Sequence, residues 1–338
     1  MKAKGNEAMK LTLKEITEIT RGTVRITENN GVFSFYRFTE QQTEAYRTAS
    51  PDNFYKKSFA TAGVRLAFKT DSTAFGFDFQ LTSASSRPYA YFDVYVNDAL
   101  AHHFGVEGKT MKGSSISISL PEGEKKVEIF FPFSYSAQIS NVEIDDGATL
   151  SGVTRPKKMI SFGDSITHGY DAIYPSLSYA SRLASLLNAE QVNKGIGGEK
   201  FFPALLDEKD PFDPDYITVA YGTNDWNSKL ISHDTFEANC REFYSRLSKM
   251  YPSAKIFAIA PIWRLDGNRT NSGFGAPVTE VYPLIKEICK DLPNVTVIDA
   301  YTFVPHRKEF FSDLRVHPND LGFGLYAEEL YKKIVAAL

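Results

Sequence analysis

No run of about 18 apolar residues occurs in this 338-residue chain, so no segment has the length and character of a membrane-spanning helix. The opening stretch, MKAKGNEAMKLTLKEIT, also lacks the apolar core of a secretory leader. Cysteine is scarce: Cys240 and Cys289 are the whole complement. Both fall on apolar faces of predicted helices, which excludes a disulfide framework and favours buried free thiols. Charge of one sign is not in excess. A net charge of −3 offers no general attraction to nucleic acid or to anionic lipid. No G-x-x-x-x-G-K-S/T phosphate loop is present. His102-His103 has no second histidine or carboxylate cluster at ligand spacing, and neither this pair nor His233 and His306 make a metal site, so none is expected. These absences predict a protein without cofactor, metal, nucleic-acid partner or membrane partner. Its expected location is cytoplasmic, or extracellular if a leader has been removed, and Met1–Ala8 reads as dispensable.

What is abundant is aromatic side chain, 26 Phe and 18 Tyr, in a chain long enough for two domains. The pattern changes near residue 150. Before it, short alternating runs such as AFGFDFQ (74–80), YAYFDVYV (89–96), SISISL (115–120) and KKVEIFF (125–131) are separated by turn signals. Period-two alternation with almost no helical period predicts an antiparallel, jelly-roll-like β-sandwich over 1–150. After the connector SGVTRPKK (151–158), strands alternate with helical periods through to residue 338. Predicted strands are 159–162, 190–193, 216–221, 255–261 and 295–299. Strand–helix alternation implies a parallel sheet covered on both faces. The expectation for 151–338 is therefore a flavodoxin-like, doubly wound α/β domain.

Function in such sheets collects beyond the carboxyl ends of the strands. After the first predicted strand stands Gly-Asp-Ser165-Ile-Thr-His168-Gly, which places a serine in a tight strand-to-helix turn. After the second stands Gly-Ile-Gly-Gly198-Glu, where glycine lets a backbone N–H approach a ligand. After the third stands Gly-Thr-Asn224-Asp-Trp226, whose Asn offers a side-chain amide donor. Before the last helix stands Asp313-Leu-Arg-Val-His317-Pro. Together they supply a nucleophile, its base and oxyanion donors. A serine hydroxyl needs such a base within hydrogen-bond reach.

These four blocks, GDSITHG, IGGE, GTND and HPND, resemble the signature blocks of SGNH/GDSL hydrolases in order and separation. The resemblance covers about Pro156 to Leu338. It implies Ser165 as nucleophile, His317 as base, and an oxyanion hole from the N–H groups of Ser165 and Gly198 with the amide of Asn224. One departure concerns the third triad member. The family places its Asp three residues before the His, whereas here that position is Leu314 and Asp313 lies four before. Either Asp313 orients His317 through a longer loop, or a backbone carbonyl does. The two-domain order is similar to that of carbohydrate esterase family 2 acetylesterases, which implies an O-acetyl ester of carbohydrate, small molecule or oligosaccharide, as substrate. His168, Trp226 and Trp263 sit at the same rim and are candidate substrate contacts, an indole being able to stack on a sugar ring. The competing expectations are a lysophospholipase or general short-chain carboxylesterase and, in another class, a catalytically silent glycan-binding protein.

Overall fold

The computed structural model describes residues 8–108, 112–270 and 273–338, so the dispensable N-terminus expected from sequence lies, but for Ala8, outside the described residues. The chain divides into two compact units. The first comprises residues up to Arg37, Phe59–Thr154 and Tyr174–Ser176; the second comprises Phe38–Ser58, Arg155–Ile173 and Leu177–Leu338. A single cut at residue 150 therefore does not describe the chain, because residues 38–58 belong with the C-terminal unit.

The first unit holds two six-stranded antiparallel sheets. One runs in the order Arg25–Asn29, Val32–Tyr36, Tyr135–Asp145, Ala74–Ser83, Gly113–Ser119, with Ala8–Lys10 also paired to Tyr135–Asp145. The other runs Leu150–Gly152, Arg65–Thr70, Lys125–Phe130, Tyr89–Val96, Ala99–Glu107, with Thr20–Arg21 paired to Arg65–Thr70. Alternation in AFGFDFQ buries Phe75, Phe77 and Phe79 on one face. Phe68 and Phe92, from the other sheet, lie 4.9 Å from Phe75 and 5.0 Å from Phe79. The two sheets thus share one core.

Contrary to the expectation of almost no helix before residue 150, helices form at Leu13–Ile19, Glu40–Ala49 and Phe54–Ser58. The first two are short, but each starts with a capping box: Thr12 with Glu15, and Thr39 with Gln42. That T-x-x-E/Q signature was the local signal available in the sequence.

In the second unit we label α1 (Glu40–Ala49), α2 (Phe54–Ser58), β1 (Lys157–Gly163), α3 (Ser165–His168), α4 (Tyr179–Leu186), β2 (Ala189–Gly195), β3 (Tyr216–Ala220), α5 (Thr223–Asn227), α6 (His233–Met250), β4 (Lys255–Ile259), α7 (Val281–Cys289), β5 (Val295–Ile298) and α8 (Asp320–Val335). The strands form a parallel sheet in the order β2-β1-β3-β4-β5. This is the flavodoxin-like, doubly wound order, with its switch point between β1 and β3. Helices α6 and α7 pack together, as do α4 and α8. Phe243 and Leu247 of α6 share a core with Phe162 and Val219 of the sheet, and Tyr179 of α4 stacks on Tyr326 of α8 at 4.3 Å. Cys240 and Cys289 are buried free thiols, and burial pushes the Cys289 thiol up to about 12.

Candidate active site

The register of the parallel sheet assembles the site. Gly163 pairs with Gly195 on one side and with Ala220 on the other, so β1, β2 and β3 end at one level. The residues that follow those ends, Ser165, Gly198 and Asn224, emerge at one rim. At the end of β1, Asp164 caps the single turn α3 by accepting the Ile166 N–H at 2.9 Å. Burial pushes the Asp164 carboxyl up to about 6 against that hydrogen bond. Ser165 is the first residue of α3, where helix geometry leaves backbone N–H groups without intrahelical acceptors. The end of β2 packs directly on α3: a Cβ on Gly195 would lie 2.3 Å from the His168 backbone nitrogen, so no other residue fits there.

Ser165 Oγ lies 2.8 Å from His317 Nε2. On the far side of the ring, Asp313 Oδ2 lies 2.8 Å from Nδ1. The Asp313-to-His317 spacing, one residue longer than the family pattern, is absorbed by local backbone geometry. Leu314 takes a left-handed conformation with φ +56°, uncommon for an apolar side chain. The loop closes on itself through the Ser312 N–H to His317 carbonyl bond and a bridge between Phe311 and Pro318. Asp313 Oδ1 then accepts the N–H groups of Arg315, Val316 and His317 at 2.8–3.0 Å. Burial pushes this carboxyl up, but the His317 contact and the backbone donors outweigh it and hold it well below the usual carboxylate range. The carboxylate, rather than a backbone carbonyl, is what faces the ring.

Sequence reasoning missed Asp171. It follows the serine block in a turn with φ +71°, and its Oδ2 lies 3.6 Å from His317 Nδ1. Its clue was the second acid in GDSITHGYD. Asp171, Asp313 and His317 lie close enough together to suggest a cation cluster. The 2.8 Å contact between Asp313 and Nδ1, however, is a hydrogen bond that occupies the nitrogen a cation would need.

Gly198 has φ +88°, a backbone conformation that favours glycine, and a side chain there would begin 3.8 Å from Phe54 and 4.0 Å from Lys57 Nζ. Its loop is tied down on every side. Gly197 N–H reaches His168 Nδ1 at 3.3 Å, and Asn224 Nδ2 donates to the Glu199 carbonyl at 2.9 Å. The Glu199 carboxylate is fully buried between the hydroxyls of Tyr46 on α1, at 2.5 Å, and Tyr221, at 2.9 Å. Asp225 Oδ1 accepts the Phe201 N–H, and burial pushes that carboxyl up to about 7.

Two of the three expected substrate contacts are corrected. His168 is 1% exposed and serves as an acceptor for the Gly197 N–H. Trp226 is fully buried, donates to the Ala276 carbonyl and lies beneath the guanidinium groups of Arg264 and Arg269. Neither can meet a ligand. Trp263 remains half-buried, stacked on His306 and 5.2 Å from Phe311, at the edge of the His317 loop.

Residues 161–325 match the model of the GDSL-like lipase/acylhydrolase family. The chain carries a GDSL-like acylhydrolase domain. The GDSL-like domain makes this a carboxylic ester hydrolase by class. Among curated proteins none matches the sequence. Among solved structures, the chain is similar over 99% of its length, and 98% of the other's, to a salicylyl-acyltransferase, SsfX3, from a tetracycline biosynthetic pathway, with TM-score 0.84 and 21% identity. A GDSL-like lipase from Bacteroides ovatus aligns over 98% of both chains, with TM-score 0.75 and 19% identity. A family two carbohydrate esterase from Clostridium thermocellum, in complex with cellohexaose, aligns over 90% of this chain and 98% of its own, with TM-score 0.65 and 17% identity. At these identities the likeness is one of fold.

Proposed function

We propose that this chain hydrolyses O-acyl esters, and O-acetyl esters of carbohydrate in particular, with Ser165 as nucleophile, His317 as general base and Asp313 as the acid that orients it. The observation that carries the reading is the unbroken line Ser165 Oγ, His317 Nε2, His317 Nδ1, Asp313 Oδ2, with both gaps 2.8 Å. In the first half-reaction the Ser165 Oγ–H proton passes to Nε2 as Oγ bonds the acyl carbon and the carbonyl oxygen becomes an oxyanion. Collapse expels the alcohol oxygen, which takes that proton from Nε2. Water repeats the sequence and releases the carboxylic acid. Asp313 keeps Nδ1 protonated, so that Nε2 is the basic nitrogen, and balances the imidazolium charge. The oxyanion is received by the N–H groups of Ser165 and Gly198 and by the second amide hydrogen of Asn224, the first being engaged by the Glu199 carbonyl.

The carbohydrate assignment is supported by the fold likeness to an esterase holding cellohexaose and by Trp263, whose half-exposed indole suits sugar stacking. The interleaved aromatic faces of the first unit support reading it as a jelly-roll-like β-sandwich. A second reading, acyl transfer to an alcohol other than water, is favoured by the end-to-end likeness to an acyltransferase. Both share the acyl-enzyme and differ only in the acceptor. The test is acetate release from acetylated oligosaccharides against a simple acetate ester and a long-chain ester, with and without a sugar alcohol as acceptor. Ser165→Ala is the control. Glycan-selective acetate release supports the first reading, and acylated acceptor forming faster than acetate supports the second. Equal kcat/KM on glycan and simple esters defeats the carbohydrate assignment, and turnover by Ser165→Ala defeats the mechanism.

A further inference from the structure

The oxyanion glycine is served by a residue from far outside the stretch that matches the family. The carbonyl of Gly197 and the N–H of Gly198 are two ends of one peptide group. Lys57 Nζ, on α2, donates to that carbonyl at 2.6 Å. The same ammonium lies 4.0 Å from where a Gly198 side chain would begin, beside Phe54 at 3.8 Å. We propose that Lys57 is a positioning residue for the oxyanion hole, its ammonium fixing and polarising the Gly197–Gly198 peptide so that the Gly198 N–H donates more strongly to the developing oxyanion. The inference rests on the esterase reading above.

Two physical arguments support it. An amide is a resonance hybrid, and a cation at its oxygen favours the charge-separated form, which makes the N–H more acidic. Charge-assisted hydrogen bonds are roughly twice as strong as neutral ones, and bonds in a chain reinforce one another. The second argument is orientational. Glycine at φ +88° has no side chain to hold its peptide plane, and a flip of that plane would turn the N–H away from the site. Lys57 anchors the plane from behind. The lysine is itself held, because its segment is anchored in the second unit: Gln42 donates to the Leu205 carbonyl at 3.2 Å, buried Lys194 donates to Gln42 at 2.5 Å, and Tyr46 grips Glu199. Residues 38–58 thus act as a buttress for the oxyanion loop.

The experiment measures steady-state hydrolysis of p-nitrophenyl acetate by the full-length protein and its Lys57→Met, Lys57→Arg, Lys56→Met and Ser165→Ala variants. Inhibition by an alkylboronic acid, which forms a tetrahedral adduct with an active serine, is measured alongside. Losing an oxyanion donor outright costs about 100-fold or more, so weakening one predicts that Lys57→Met lowers kcat about tenfold with KM within twofold. Boronate affinity falls by the same factor, Lys57→Arg restores most of both, and Lys56→Met behaves as wild type. Wild-type kcat and boronate affinity in Lys57→Met overturn the inference, as does a loss confined to KM and thermal stability. If Ser165→Ala still turns over, the esterase reading falls and the inference with it. If Ser165→Ala is inactive while Lys57→Met is unimpaired, the inference alone falls.

Discussion

Replacing Asp313 by Asn tests the least conventional part of the proposed site, a triad acid four residues before its histidine. The side chain is nearly isosteric, so the loop can fold, but its two oxygens have separate tasks. Oδ1 gathers three backbone N–H groups and Oδ2 meets His317 Nδ1. An amide oxygen can replace only one of them. With the oxygen toward the backbone donors, the NH2 faces Nδ1 and forces the ring into the Nε2–H tautomer, which cannot take the Ser165 proton. With the oxygen toward Nδ1, the NH2 opposes three N–H groups and the loop loosens. In serine hydrolases built on this relay the exchange costs roughly 10⁴-fold in kcat. Here Asp171, 3.6 Å from the same ring nitrogen, can retain part of the orientation. The expected loss for Asp313→Asn is therefore about 10³-fold, or ~4 kcal/mol at ~1.4 kcal/mol per decade, with KM nearly unchanged. Adding Asp171→Asn should remove about another tenfold, more than Asp171→Asn costs in the wild-type background, because the two acids share one nitrogen. The assay is steady-state hydrolysis of p-nitrophenyl acetate by both single variants and the double variant. A kcat for Asp313→Asn within threefold of wild type would refute the orienting role.

Three further outcomes are expected. Asn224→Ala should lower kcat by about 100-fold with a smaller change in KM, since its amide matters most once charge has formed; a loss confined to KM would make Asn224 a ground-state contact. Asp164 holds its proton up to about pH 6 when folded, against an ordinary carboxyl value near 3.8, so its favourable contribution is complete below about pH 4 and is lost as pH rises through 6. Asp164→Asn keeps a cap acceptor without the charge, and its stability relative to wild type should improve by up to about 3 kcal/mol between pH 4 and 7; a pH-independent difference in denaturant unfolding would count against this. Tyr46→Phe removes the 2.5 Å hydroxyl from buried Glu199, which should cost about 2 kcal/mol and lower Tm by roughly 4–8 °C, read by calorimetry; an unchanged Tm would mean that the contact carries no net stability.

The reach of sequence reasoning differed from one element to the next. The five parallel strands and their following loops were readable because a buried parallel strand is a short apolar run and its helix carries a helical period. The helices at 40–49 and 54–58 were not, since helices of two or three turns leave few periodic positions and their faces are covered by contacts distant in sequence. Trp226 and His168 were misread for a related reason. Both stand beside signature residues, yet adjacency in a loop does not say whether a side chain turns toward solvent or into the packing beneath it.

Local chemistry along the chain, then, determined the order of the parallel strands and nominated Ser165, Gly198, Asn224 and His317 for the proposed site, because glycine turns, strand periods and a serine after a buried strand are short-range properties. Tertiary structure decided the rest. It brought Asp313 to His317 through a left-handed Leu314, set Asp171 behind the same ring, and moved Tyr46 and Lys57 from the N-terminal part of the chain to the back of the loop that carries Gly198. These are contacts across as many as 153 residues. They depend on the net balance of many burial and hydrogen-bond terms, and no local pattern records that balance.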